Sequence, residues 1–184
     1  MPISGEGWEF HIVRETVQRR PSDGRRRTVG RYQVFHNGVA QTGAGLRGVT
    51  AETKGPGANR PINNGKRIEQ GRYPLRTHAP GGYATLNYSQ STAPEAEPKP
   101  CLEVGNTGQR TEILLHPGHD FLASVGCINL CTSLPNAVEP IDYAPSRRRV
   151  IAVIDNLKSF LGANFPTRND RNIPNAFLVI DGEP

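Results

Sequence analysis

A mainly β fold carrying one substantial α-helix is what three features of this sequence predict. The 184 residues include 20 glycines and 16 prolines, about a fifth of the chain; ordinary globular proteins hold roughly 12%, and low-complexity disorder begins at roughly 25–30%. Short β-prone runs recur between turn signals, and a single stretch keeps a helical period. So many breakers exclude a long helical bundle. No heptad seam persists for a coiled coil, and no run of about 18 apolar residues exists for a membrane helix. A hydrophobic share of 35% suits a single domain, 1–184, with a modest core.

The first third of the chain reads as β. Trp8 to Val13 and Thr28 to Phe35 are β-prone, with the arginine-rich turn between them as a hairpin-like connection, and they form the centre of a basic β region over 1–50. Asn37-Gly38 is a two-residue turn signal, after which Val39 to Thr50 returns as a Gly-interrupted strand. Gly, Pro and Asn at nearly every step of 54–66 spoil both periodicities and predict an exposed loop. Tyr73 to Arg76 and Tyr83 to Tyr88 read as two strands around the turn Ala79-Pro80-Gly81-Gly82. Three prolines make 90–100 a surface loop or flap. Cys101 to Val104 follows, then Arg110 to His116, whose apolar Ile113-Leu114-Leu115 core suits a buried strand, and Val125 to Leu130 is another short apolar segment. The helix is expected to start at Ser146 as N-cap, with Val150, Ile151, Val153, Ile154, Leu157, Phe160 and Leu161 on one face and Gly162 as C-cap. Phe177 to Ile180 closes the chain, so that helix and strand occupy 146–181.

The formal charge of +5 is unevenly spread. Residues 1–100 carry 15 Lys and Arg against 8 Asp and Glu, a net +7, while residues 101–184 carry 7 against 9, a net −2. Arg25-Arg26-Arg27 has the charge to meet an acidic polymer, although Pro21-Ser22-Asp23-Gly24 before it is turn chemistry and equally suits a solvated loop. No aromatic-interleaved recognition motif accompanies the charge, so no nucleic-acid partner is expected. Three cysteines, Cys101, Cys127 and Cys131, are too few for a disulfide scaffold. Residues Met1 to Gly7 lack a basic n-region and an apolar h-region. No conventional signal peptide is read there, which makes the expected location cytoplasmic as synthesised, with periplasmic action requiring delivery by another route.

The reactive side chains concentrate between His116 and Cys131. A strand delivers His116 to its end, Pro117-Gly118 turns the chain, and a loop brings Ser124-Val125-Gly126-Cys127 to the next apolar segment. A thiolate is the nucleophile in cysteine chemistry, and a neighbouring imidazole can take its proton and return one to a leaving group. Gly126 permits a tight turn and close approach of a substrate to backbone N–H groups. His119 and Asp120 lie where they could orient His116 or meet substrate. Arg110 and Tyr73 are the best candidates to face a substrate carboxylate, since a guanidinium pairs well with that group.

Ser124-Val125-Gly126-Cys127-Ile128-Asn129 resembles the Ser/Thr-His-Gly-Cys-hydrophobic-Arg/Asn signature of L,D-transpeptidases of the YkuD type, and Leu115-His116-Pro117-Gly118 is similar to that family's strand ending in His-Gly. Val125 stands where the signature has a histidine, and the histidine-to-cysteine interval is shorter than that family's. A related group of small domains, in which His-Pro-Gly leads to Gly-Cys-Ile and Gly71-Arg72-Tyr73-Pro74 has a counterpart, is closer in spacing. The likeness spans 68–131. It implies an L,D-transpeptidase-like β-sandwich or barrel and a cysteine acyl-transfer enzyme acting on peptidoglycan stem peptides. Cys127 would be the nucleophile, His116 the base, and Ser124 and Asn129 supporting residues, with no cofactor. A phage product or a delivered antibacterial effector is the setting such an enzyme suggests, with an immunity or delivery protein as the accompanying partner. The rival readings are a zinc site made by His116, His119, Cys127 and Cys131, a disulfide from Cys131 to Cys127 or Cys101, and a non-catalytic envelope-binding or structural module.

Overall fold

A computed structural model describes residues 2–79 and 81–184; Pro80, in the expected turn, and Met1 lie outside them. Among the described residues there are eleven strands: β1 (Trp8–Arg19), β2 (Arg26–His36), β3 (Val39–Ala40), β4 (Arg47–Thr53), β5 (Gly71–Arg76), β6 (Tyr83–Ala84), β7 (Lys99–Pro100), β8 (Leu102–Val104), β9 (Ile113–Pro117), β10 (Ile128–Cys131) and β11 (Asn172–Asp181). One α-helix, α1 (Tyr143–Leu161), runs on into a 3-10 turn at Gly162–Asn164. The fold is mainly β with a single long helix, as the sequence predicts.

Strands pair in the order β1-β11-β5-β8-β9-β10-β4-β2, and β2 pairs again with β1, so eight strands close a barrel, and β3 pairs with Phe35 and His36 at the end of β2, beyond the stretch that pairs with β4. Closure removes every free edge among those eight. Two of the pairings, β1 with β11 and β9 with β10, are parallel. Trp8, Phe10, Ile12, Tyr32, Leu115, Ile128 and Leu130 share one core with Val150, Val153, Ile154 and Leu157 of α1. A smaller cluster, Val29, Ala51, Phe121, Leu122, Cys131, Leu134 and Ile141, lies beneath the loop after β9.

The differences from expectation have local causes. The strand expected over Val39 to Thr50 is split into β3 and β4 by a turn whose Gly45 has φ +81°. Tyr83 to Tyr88 does not form a hairpin with β5, which instead pairs with β11 and β8. Only Tyr83–Ala84 is strand, paired in parallel with β7 inside the segment read as a flap. Strand β9 begins at Ile113 because Glu112 sits at φ +56°, and β10 begins at Ile128 just after Gly126 at φ +140°. The helix starts three residues before Ser146: Asp142 is the N-cap, its Oδ1 accepting from Ala144 N at 3.2 Å, and Pro145 is tolerated in the first turn. Ser146 is buried inside the helix, donating to Leu130 O and accepting from Gly118 N at 2.8 Å. It fastens α1 to the ends of β9 and β10, the two strands that carry the reactive residues.

The basic run is divided. Arg27 is fully buried, donating to Phe121 O and Asn136 O at 2.9 Å and stacking on the Phe121 ring at 4.5 Å. Arg25 and Arg26 remain exposed.

Candidate active site

Parallel pairing of β9 and β10 sets Asn129 opposite His116 and Ile128 opposite Leu115. Cys127, one residue before β10, therefore lies beside Leu114, one diagonal step from His116. The Leu114 N–H donates to Cys127 Sγ at 3.4 Å, and the thiol donates to Glu112 O at 3.5 Å. Cys127 is partly exposed and opens on a cleft of about 210 Å³ whose walls include Ile62, Asn63, Arg110, Glu112 and Val125. Thus the loop at 54–66 supplies one wall, from a stretch the sequence marks only as irregular.

His116 is 3% exposed, with Nδ1 2.8 Å from the carbonyl of Pro117. A carbonyl only accepts, so that contact fixes the proton on Nδ1 and leaves Nε2 as the basic nitrogen. Nε2 has Asn129 Nδ2 at 3.5 Å, and the Tyr83 ring lies over the imidazole with centroids 4.7 Å apart. Burial drives the His116 pKa down to about 4. Burial also raises the Cys127 thiol, opposed by the Leu114 N–H and then by the positive field of Arg110. The resting pair is therefore a neutral imidazole and a thiol. Among the described residues no hydrogen bond joins them directly.

The residues around the pair shape the turn. Ser124 Oγ donates to Cys127 O at 2.7 Å and accepts from Gly126 N at 2.9 Å. That bond occupies the Gly126 N–H, so this amide is not among the backbone donors left for a substrate. A Cβ on Gly126 would lie 1.8 Å from Arg110 Nη2, so glycine is needed there both for its φ of +140° and for the guanidinium's approach. Asn129 Oδ1 accepts from Ala123 N at 3.1 Å, which ties the loop to the strand that faces His116.

Arg110 reaches the site but spends its donors on backbone: Nη1 on Lys66 O at 2.6 Å and Ala58 O at 3.3 Å, Nη2 on Val125 O at 3.3 Å. It clamps the 54–66 loop to the cysteine turn instead of waiting for a carboxylate. Tyr73 is not among the cleft's walls; it is 5% exposed in the core, its phenol donating to Glu69 O at 2.8 Å. His119 is exposed and pairs with Asp120 at 2.9 Å. Tyr83 and the carbonyl of Glu112, which sequence reasoning missed, both touch the pair. Nothing local announces them, because Tyr83 arrives on a two-residue strand distant in the chain.

The rival zinc set, His116, His119, Cys127 and Cys131, is not assembled among the described residues. Cys131 stands at the far end of β10 from Cys127, buried among Val29, Ala51 and Phe121. All three cysteines are free thiols, so neither disulfide forms. Comparison with known proteins finds no family model, no curated protein and no solved structure that matches the chain.

Proposed function

We propose that the chain is a cysteine acyl-transfer enzyme acting on peptidoglycan stem peptides, of the L,D-transpeptidase or L,D-carboxypeptidase type. The observation that carries this reading is a partly exposed thiol at a cleft, one diagonal step from a buried imidazole held in a single tautomer on the adjacent strand. The substrate class rests on the resemblance of Leu115 to Gly118 and Ser124 to Asn129 to the transpeptidase signature. A further cleft of about 350 Å³, lined by Arg25, Arg26, Lys54, Ser124 and Val125, borders the cysteine turn and offers cations to a carboxylate-bearing chain.

In the reaction Cys127 Sγ attacks an amide carbonyl carbon and forms the C–S bond. The thiol proton passes to His116 Nε2, and from there to the departing amine as the C–N bond breaks. The thioester is resolved by an amine in transpeptidation or by water in carboxypeptidation. With the imidazole less basic than usual and the thiol less acidic, proton transfer is uphill at rest. Deprotonation then accompanies attack instead of preceding it. The 3.5 Å contact with Asn129 is beyond a normal hydrogen bond and releases Nε2 at small cost.

The test incubates wild type and Cys127→Ala with tetrapeptide muropeptides and reads both products and intact protein by mass. Expected are a thioester adduct on the wild type and a loss of turnover of about a thousandfold or more in the variant. Equal turnover by the two proteins overturns the reading.

A further inference from the structure

Outside that site, the described residues bring together one group of potential metal ligands: His78, after β5; Glu103, on β8; and Asp170, in the loop before β11. Their donor atoms all lie within 4.8 Å of one another. The geometry points to a binding site for a divalent transition-metal ion of the zinc type, held by one imidazole nitrogen and two carboxylate oxygens. It is independent of the chemistry of Cys127.

Three observations support it. First, His78 is 5% exposed, and its Nδ1 faces Glu103 Oε2 at 3.4 Å. An ionic N–H···O contact closes to about 2.7–2.9 Å. Two ligands bonded at about 2.0–2.1 Å to a tetrahedral ion, by contrast, stand roughly 3.4 Å apart. Among the described residues the ring has no nearer partner, so a nine-tenths-buried imidazole is aimed at the carboxylates without a normal hydrogen bond. Second, the outer partners hold the ligands in place. Asp170 Oδ1 accepts from Ala79 N at 3.2 Å, leaving Oδ2 for an ion, and Arg76 lies 3.9 Å from Glu103 Oε1, leaving Oε2. Third, the backbones are tied together by two fully buried threonines. Thr77 Oγ1 donates to Arg168 O and accepts from Arg171 N, on either side of Asp170; Thr85 Oγ1 accepts from His78 N and donates to Cys101 O, two residues before Glu103.

The donor set selects the metal. An imidazole with two carboxylates suits Zn²⁺, Co²⁺ or Mn²⁺, whereas Mg²⁺ and Ca²⁺ favour all-oxygen sites. Three protein ligands leave a coordination position for water or a ligand oxygen. Since the ligands come from three segments distant in sequence, the ion would also stabilise the folded chain.

Calorimetric titration of the full chain with Zn²⁺, with Mg²⁺ as control, tests this in wild type, Cys127→Ser, Glu103→Gln and Asp170→Asn. Asp170 is exposed at φ +58°, which asparagine tolerates, and Asn keeps the acceptor for Ala79 N, so that variant retains the fold. Expected are about one equivalent of Zn²⁺ in wild type and Cys127→Ser, no Mg²⁺ binding, and affinity at least about tenfold weaker in both carboxamide variants. No Zn²⁺ binding by wild type at about 100 μM free ion, or unchanged affinity in Asp170→Asn, overturns the site. Loss of binding in Cys127→Ser would assign the zinc to the thiol and overturn it equally.

Discussion

His116 shows how one side chain couples the candidate chemistry to stability. Its folded pKa of about 4, set by burial, lies below the ordinary 6.5 of an unfolded histidine. Between those values the unfolded chain binds the extra proton and the folded chain does not. The contribution is therefore whole above pH 6.5 and is lost as pH falls toward 4. A depression of this size corresponds to roughly 3 kcal/mol across that window. Urea unfolding of wild type and His116→Gln at several pH values checks it: the wild-type midpoint should fall between pH 6.5 and 4 more steeply than the variant's, and parallel profiles would remove the assignment. At this scale the sequence exposes the candidates better than their duties. The strand-ending His116, the Ser-x-Gly-Cys turn and Asn129 come together as adjacent-strand neighbours. Arg110 and Tyr73 look equally reactive on paper, yet one serves three backbone carbonyls and the other the core. Only the fold decides whether a guanidinium's donors are already taken.

The elements were legible where their signals are local. Both long hairpin strands, the 54–66 loop, the apolar strands β9 and β10 and the closing β11 are marked by periodicity and turn residues. The helix was recognisable by its apolar face, but its start was hidden, since Ser146 has the chemistry of a cap and Pro145 reads as a breaker. Asp142 caps instead, and Ser146 joins α1 to the two strands of the site. Their replacements separate the roles. Asp142→Ala should cost about 1 kcal/mol, the ordinary loss of a cap. Ser146→Ala strands the buried Gly118 N–H and Leu130 carbonyl, at about 1–3 kcal/mol, and should also speed alkylation of Cys127 by loosening β9 against β10. Chemical denaturation combined with iodoacetamide labelling reads both effects. If Ser146→Ala left labelling unchanged and cost no more than Asp142→Ala, it would not be the link between helix and site.

Across the whole molecule, the charge that the sequence places in a basic first half turns out to be partly interior. Arg14 on β1 is buried against Glu52 on β4, at 2.7 and 2.8 Å, and donates to Ile68 O at 2.8 Å. Glu183, near the C-terminus, accepts from Arg14 at 3.1 Å and from Arg67 at 2.7 Å, and also from Gly57 N at 3.1 Å in the loop that walls the cleft. Strand β1, strand β4, the 54–66 loop and the chain end are thus held by one ionic clasp, and Arg110 holds the same loop at its other side. No local pattern could reveal this, because Arg14 and Glu52 are 38 residues apart and Arg67 and Glu183 are 116 apart. Barrel closure escapes sequence reading for the same reason: the β1–β11 and β10–β4 pairings join segments that propensity treats separately. The clasp makes a sharp demand on stability. Glu52→Gln leaves the buried Arg14 guanidinium short of its bidentate carboxylate and should cost about 3–5 kcal/mol. Glu15→Gln, removing the exposed partner of Arg31, should cost less than about 1 kcal/mol. Urea midpoints of the two variants measure the contrast. Because the 54–66 loop hangs from the same clasp, Glu52→Gln should also become more susceptible to proteolysis between residues 54 and 66, while Glu15→Gln keeps the wild-type pattern; equal midpoints and equal cleavage would show that the barrel closes without it.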